Sequence, residues 1–177
     1  MRQVLTLAAA LAAATFGMAA PAAAKSFGCN QFMDAYGAAA GEHRVQFSRA
    51  LTVGRGEGAG YDYFDASGDG DVDVSLVCRG DRFVRLEVRA AGGSARAAGK
   101  FERLQQAGLQ VALGMDRNRA ASTIRSLDAE ARDYLRASNE RGDVYVAGKV
   151  ERHMAGGVDL GMLATDTDRT LIIVAGQ

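Results

Sequence analysis

Two histidines, His43 and His153, are the side chains of this chain that ordinarily titrate near neutral pH, so general-base chemistry would fall first to them. Each has a carboxylate close by in sequence, Glu42 beside His43 and Glu151 two residues ahead of His153. If the two segments were neighbours, they would assemble an acid–base pair, and a hydrolase or isomerase using His43 or His153 is one reading. The motifs that usually accompany such chemistry do not occur: there is no nucleophile elbow, phosphate loop, His-Glu-x-x-His or dinucleotide fingerprint. Gly54-Arg55-Gly56-Glu57-Gly58 alternates glycines but lacks the third spaced glycine and a following helix. Surface histidines at strand ends are the plainer expectation. The thiols, Cys29 and Cys78, are neither a Cys-x-x-Cys redox pair nor a four-ligand zinc set. In an oxidising compartment they allow one intramolecular pairing, a structural disulfide.

A second chemical signal is the string from Asp65 to Asp73. Oxygen-bearing side chains stand at Asp65, Ser67, Asp69, Asp71 and Asp73, with Gly70 and Val72 between them. This ten-residue stretch resembles the calcium loop of EF-hand proteins, where alternating acidic residues surround a hard cation and glycine permits the sharp bend. The resemblance implies a weak calcium-binding module, because the position that should hold a bidentate Glu is Leu76. Asp and Gly are equally the residues of a polar hairpin turn. Nearby, Tyr61, Tyr63, Phe64 and Phe83 cluster around one hairpin region. They would either line a ligand or partner surface or pack beneath a helix.

Those residues need a compartment and a scaffold. Residues 1–24 read as a cleaved secretory signal peptide: Arg2 near the start, an apolar core from Val4, and Ala22-Ala23-Ala24 before Lys25. The protein is therefore expected to be periplasmic or secreted, and 25–177 to form a single domain. No later apolar run is long enough to span a bilayer. Basic and acidic residues balance at 21 each, only Arg2 lying in the leader, so nucleic-acid binding is not expected. Three of the basic residues are Lys; the Arg-, Ala- and Gly-heavy usage fits a GC-rich bacterial genome.

Periodicity supplies the elements. A helix is expected over 30–40, capped by Asn30, striped by Phe32, Met33, Tyr36 and Ala40, and ended by Gly41. Val45, Phe47, Leu51 and Val53 then alternate as a half-buried strand, and Tyr61–Phe64 is a short one. The clearest hairpin joins 71–78 to 82–89, with Phe83, Arg85, Glu87 and Arg89 facing out. Two helices follow, one capped by Ser94 and ended by Gly114, the next running from near Asp116 to Gly142. The stripe of the second is Ile124, Leu127, Ala131, Tyr134 and Leu135.

Three more strands close the chain: Val144–Val150, Val158–Ala164 and Leu171–Val174, the last apolar enough for a strand buried on both faces. The order α-ββββ-αα-βββ with short connections predicts an α+β fold, a mainly antiparallel sheet with helices on one face. The functional expectation is an exported domain acting by binding, either of a small apolar ligand or of an envelope protein partner. No cofactor is expected beyond weak calcium. A scaffold whose sheet edge pairs with a partner strand is the structural alternative.

Overall fold

A computed structural model describes residues 27–47, 52–55, 61–67, 72–92, 94–143 and 147–176, giving the backbone alone for 52–55 and 61–67. The elements run α1 Cys29–Glu42, β1 Thr52–Arg55, β2 Tyr61–Ser67, β3 Val72–Arg79, β4 Arg82–Ala91, α2 Ala95–Leu113, α3 Arg117–Arg141, β5 Gly148–His153, β6 Asp159–Ala164 and β7 Asp168–Val174. The seven strands among the described residues pair antiparallel in one sheet, in the order β1-β2-β3-β4-β7-β6-β5. Two meanders thus meet along the β4–β7 seam. Each begins at a sheet edge and ends at the centre.

The helices lie side by side on one face, α1 against α2 and α2 against α3. Below them, α1 touches β4, α2 rests on β3, β4 and β7, and α3 covers β5 and β6. The α+β arrangement expected from periodicity is the one observed. The core lies between these layers. One register row runs Val74–Val88–Leu171–Met162–Val150 and another Leu76–Leu86–Ile173–Leu160, all buried. Gly108 lets α2 sit down on the second row; a Cβ there would lie 2.9 Å from Ile173 Cδ1 and Leu86 Cδ2. Gly148 does the same for α3 and β5, the Ala131 carbonyl oxygen lying where a methyl would go.

Helix ends follow local chemistry where the cap residue is polar. Ser94 and Asp116 accept from the N–H groups of Ala97 and Arg119, and Gly114 and Gly142 close α2 and α3 in the left-handed region. The boundaries of α1 differ from expectation. Gly28, not Asn30, is its N-cap, because the preceding chain is pinned to the hairpin end. Phe83 N–H donates to the Phe27 carbonyl at 3.2 Å, and Cys29 N–H to that of Asp81 at 2.5 Å. Nor does Gly41 stop the helix. Val45 N–H returns to the Ala40 carbonyl and Arg44 N–H to that of Gly41, both at 2.9 Å, with Arg44 at φ 58°. This is a Schellman end with arginine in the glycine position and buried Val45 as its apolar anchor. The strand expected to start at Val45 therefore does not: residues 45–47 are irregular, and β1 begins at Thr52.

Cys29 and Cys78 form a disulfide with Cα atoms 5.9 Å apart, joining α1 to β3. Beside it the β3–β4 register shifts: Val77 pairs with Arg85 but Cys78 with Phe83, so Val84 is an extra residue. The bulge turns Phe83 to the helix side. Its ring stacks on Phe32 at 3.7 Å between centroids, and Phe83 is 6% exposed. Phe83 thus packs under a helix instead of facing out. Tyr36, wholly buried below α1, donates its hydroxyl to the Leu104 carbonyl at 3.3 Å, and burial pushes its phenol far above the usual tyrosine range.

Two further expectations change. Tyr134 leaves the apolar stripe of α3 and is 54% exposed, since Ala131 and Leu135 already meet Gly148 there. β7 is central, but only Leu171 and Ile173 are buried. Ile172 and Val174 point to the other face of the sheet, which no described helix covers.

Candidate functional site

That open face becomes a groove at the C-terminal meander. It measures about 410 Å³, and Gly161, Leu163, Ile172 and Val174 supply its apolar surface. The register explains the hollow. Across the sheet, one outward row reads Glu151–Gly161–Ile172–Glu87, so the side chain missing at Gly161 leaves a low point between two walls. A glycine inside a strand weakens it and often marks a close approach of something else. Among the described residues, the nearest side-chain atom to a Cβ built there is Ile172 Cβ at 3.5 Å, an ordinary contact.

The walls are charged and internally paired. On the β5 side, Lys149 Nζ meets Glu151 Oε1 at 2.7 Å. At one end, His153 Nδ1 lies 2.6 Å from Asp159 Oδ1, both exposed. Beyond Ile172 along the register row, and outside the groove's lining, Arg85 Nε meets Glu87 Oε1 at 3.1 Å. The exposed Lys149–Glu151 and His153–Asp159 pairs add little stability, but they set polar groups along the edge of an apolar floor. The arrangement suits an apolar body whose edges carry polar groups.

The sequence-derived candidates are placed as follows. His153 sits on the groove rim with Asp159, whereas His43 does not reach the surface. His43 is 4% exposed, where α1 and α2 end and α3 begins. Its Nε2 is 3.2 Å from Gln110 Oε1, its Nδ1 3.2 Å from Arg117 Nη2, and Gln110 Nε2 donates to Glu42 Oε2 at 3.1 Å. The two histidines therefore have separate partners and are not joined as a pair.

Asp65 and Ser67 lie in β2, where backbone pairing sets them opposite Ser75 and Asp73. Asp69 and Asp71 fall outside the described residues, and Asp73 is exposed in β3. Among the described residues no group of three or more His, Cys, Asp or Glu could hold a metal ion. Tyr61, Tyr63 and Phe64 also belong to β2, opposite Arg79, Val77 and Leu76, and their side chains lie outside the described residues. Residues 1–24, expected above to be a leader, and residues 144–146 lie outside them as well.

Gly161 was the residue sequence reasoning passed over. The available signal was a lone glycine within the alternation Val158, Leu160, Met162, Ala164. A second concavity of about 440 Å³ lies between the β6–β7 turn and α3; its surface is about half polar, and its Arg132 and Asp168 are each paired. Arg132 meets Asp128 at 2.9 Å and Arg89 meets Asp168 at 2.6 Å; that hydrogen bond raises the arginine's proton affinity further. Among the described residues, no helix is long and apolar enough to cross a membrane. No known protein family matches the chain, and neither a curated protein nor a solved structure resembles it at a significant level.

Proposed function

We propose that this chain is an exported, periplasmic or secreted binding protein that takes a small apolar ligand on the open face of its sheet. One observation carries the reading: an apolar hollow at Gly161, Leu163, Ile172 and Val174, edged by the Lys149–Glu151 ion pair and lacking any covering element among the described residues. Its volume lies in the range of small-molecule sites. The disulfide between α1 and β3 accords with an oxidising compartment.

Gly161→Val tests it. The added side chain has room beside Ile172 and suits a strand, so the fold should persist while the hollow fills. Native mass spectrometry of the protein purified from periplasm should show a small-molecule mass on the wild type that denaturation releases and Gly161→Val lacks. A bare wild-type mass, or equal loading of the variant, would sink the reading.

A second reading has its own observation. Asp159 holds the Nδ1 side of His153 at the groove rim, the geometry that orients an imidazole as a general base. A hydrolase or isomerase would lose turnover in His153→Gln without losing the bound mass. A binding protein would keep its ligand and show no turnover in either form.

A further inference from the structure

β5 ends the strand order, and among the described residues no strand pairs with its far edge. Which backbone groups face that edge is fixed by the turn into β6. Met154 N–H donates to the Val158 carbonyl at 2.8 Å, one step beyond the His153–Asp159 pair. Antiparallel alternation then turns the backbone groups of Gly148, Val150 and Arg152 toward β6, and those of Lys149, Glu151 and His153 outward. The Val150 carbonyl oxygen accordingly lies on the β6 side, 3.9 Å from a Cβ built at Gly161. A strand arriving at the free edge must therefore bond to Lys149, Glu151 and His153.

A second copy of β5 meets this requirement in one register. Two copies related by a two-fold axis pair antiparallel about a central residue. Centred on Lys149, Glu151 or Arg152, they set two like charges face to face, and a centre at either end of β5 pairs little of the strand. Centred on Val150, Lys149 of each copy stands opposite the partner's Glu151. Both residues turn their backbone to the edge, so each such pair exchanges both N–H···O bonds, and their charges alternate in sign around the axis. The helix above agrees. Ser126 and Glu130 of α3 reach Arg152 of β5 at 3.1 and 2.7 Å, whereas Asp128 on the opposite flank faces Arg169 of β7. Tyr134 continues the Ser126–Glu130 spacing, so this side chain, 54% exposed, stands on the flank above the free edge. Because α3 covers both β5 and β6, the two copies of α3 would lie about 10 Å apart, an ordinary helix packing distance.

We propose that two copies of this chain join edge to edge through β5, on a two-fold axis at Val150, into one continuous sheet. Lys149 and Glu151 also line the groove, so the partner's Glu151 and Lys149 would border its open side. The inference stands on the strand edge and holds whether or not the groove carries a ligand.

Sedimentation velocity on the protein purified from periplasm should show a concentration-dependent dimer. Lys149→Glu and Glu151→Lys each set like charges opposite one another and should weaken that dimer by about tenfold. An equimolar mixture of the two variants should dimerise again, because the mixed pair restores opposite charge at both contacts. Glu151→Pro removes an outward N–H and no bond to β6, so it should keep the far-UV circular dichroism of the wild type and lose the dimer. A single protomer mass at every concentration, or a mixture that associates no more tightly than either variant alone, would overturn the proposal. The mixture decides the matter even if Glu151→Pro fails to fold.

Discussion

The two meanders on either side of the β4–β7 seam are fastened to the helices by different means. In the N-terminal one, α1 is held by a covalent bond from Cys29 to Cys78 and by Phe32 stacked on Phe83. In the C-terminal one, α3 is held by close approach, Gly148 of β5 lying directly beneath the Ala131 carbonyl. Ion pairs add a rim there, Arg152 with Glu130 at 2.7 Å and Arg169 with Asp128 at 3.7 Å. The N-terminal half spends side-chain volume and a cross-link to secure a short helix. The C-terminal half spends glycine to bring a long one close. The groove falls on the second half, where β6 carries Gly161 on the outer face.

If that contrast is right, removing each fastening should damage its own half. The largest effect is expected from Cys29→Ser with Cys78→Ser. The bridged residues are 49 apart, and in the chain-entropy model such a cross-link contributes about 4 kcal/mol. Urea denaturation should show that loss, with hydrogen exchange quickening in α1 and β3 before β5 and β6. Equal quickening in both halves would break the comparison.

Gly148→Ala is the mirror experiment. The new methyl would collide with helix backbone that cannot rotate away, so α3 must lift from β5 at a cost of about 3 kcal/mol. Here the early exchange should appear in β5 and the middle of α3, leaving the disulfide-bonded half protected.

Arg44→Gly should act in the opposite direction and by less. Glycine takes the left-handed position at the end of α1 without the Cβ penalty, stabilising the protein by about 1 kcal/mol. A rise in urea midpoint with unchanged slope would confirm the Schellman end. A fall would show that the Arg44 side chain contributes more than its backbone costs.

Much of this was legible because the signals are local. Alternation in 72–78 and 82–89 marked a hairpin, and the α-ββββ-αα-βββ order follows from periodicity alone. The disulfide followed from there being two thiols. What was misread needed distant residues to be seen. Phe83 alternates outward on paper, and only the bulge opposite Cys78 turns it onto Phe32. The apolar run 171–174 looked buried on both faces because composition cannot show that one face of the sheet lacks a cover. His43 resembled a surface histidine, yet partners 67 and 74 residues away enclose it.

By itself, the sequence determined the helix caps at Ser94, Asp116, Gly114 and Gly142, the strand alternation, and hence the class of fold. These depend on backbone dihedrals and on contacts within a few residues. The tertiary structure decided that β4 pairs with β7, that Gly161 becomes the floor of a groove, and that His43 closes a corner of three helices. Each of those depends on chain segments that meet only after folding, and on which layer is left uncovered once they do.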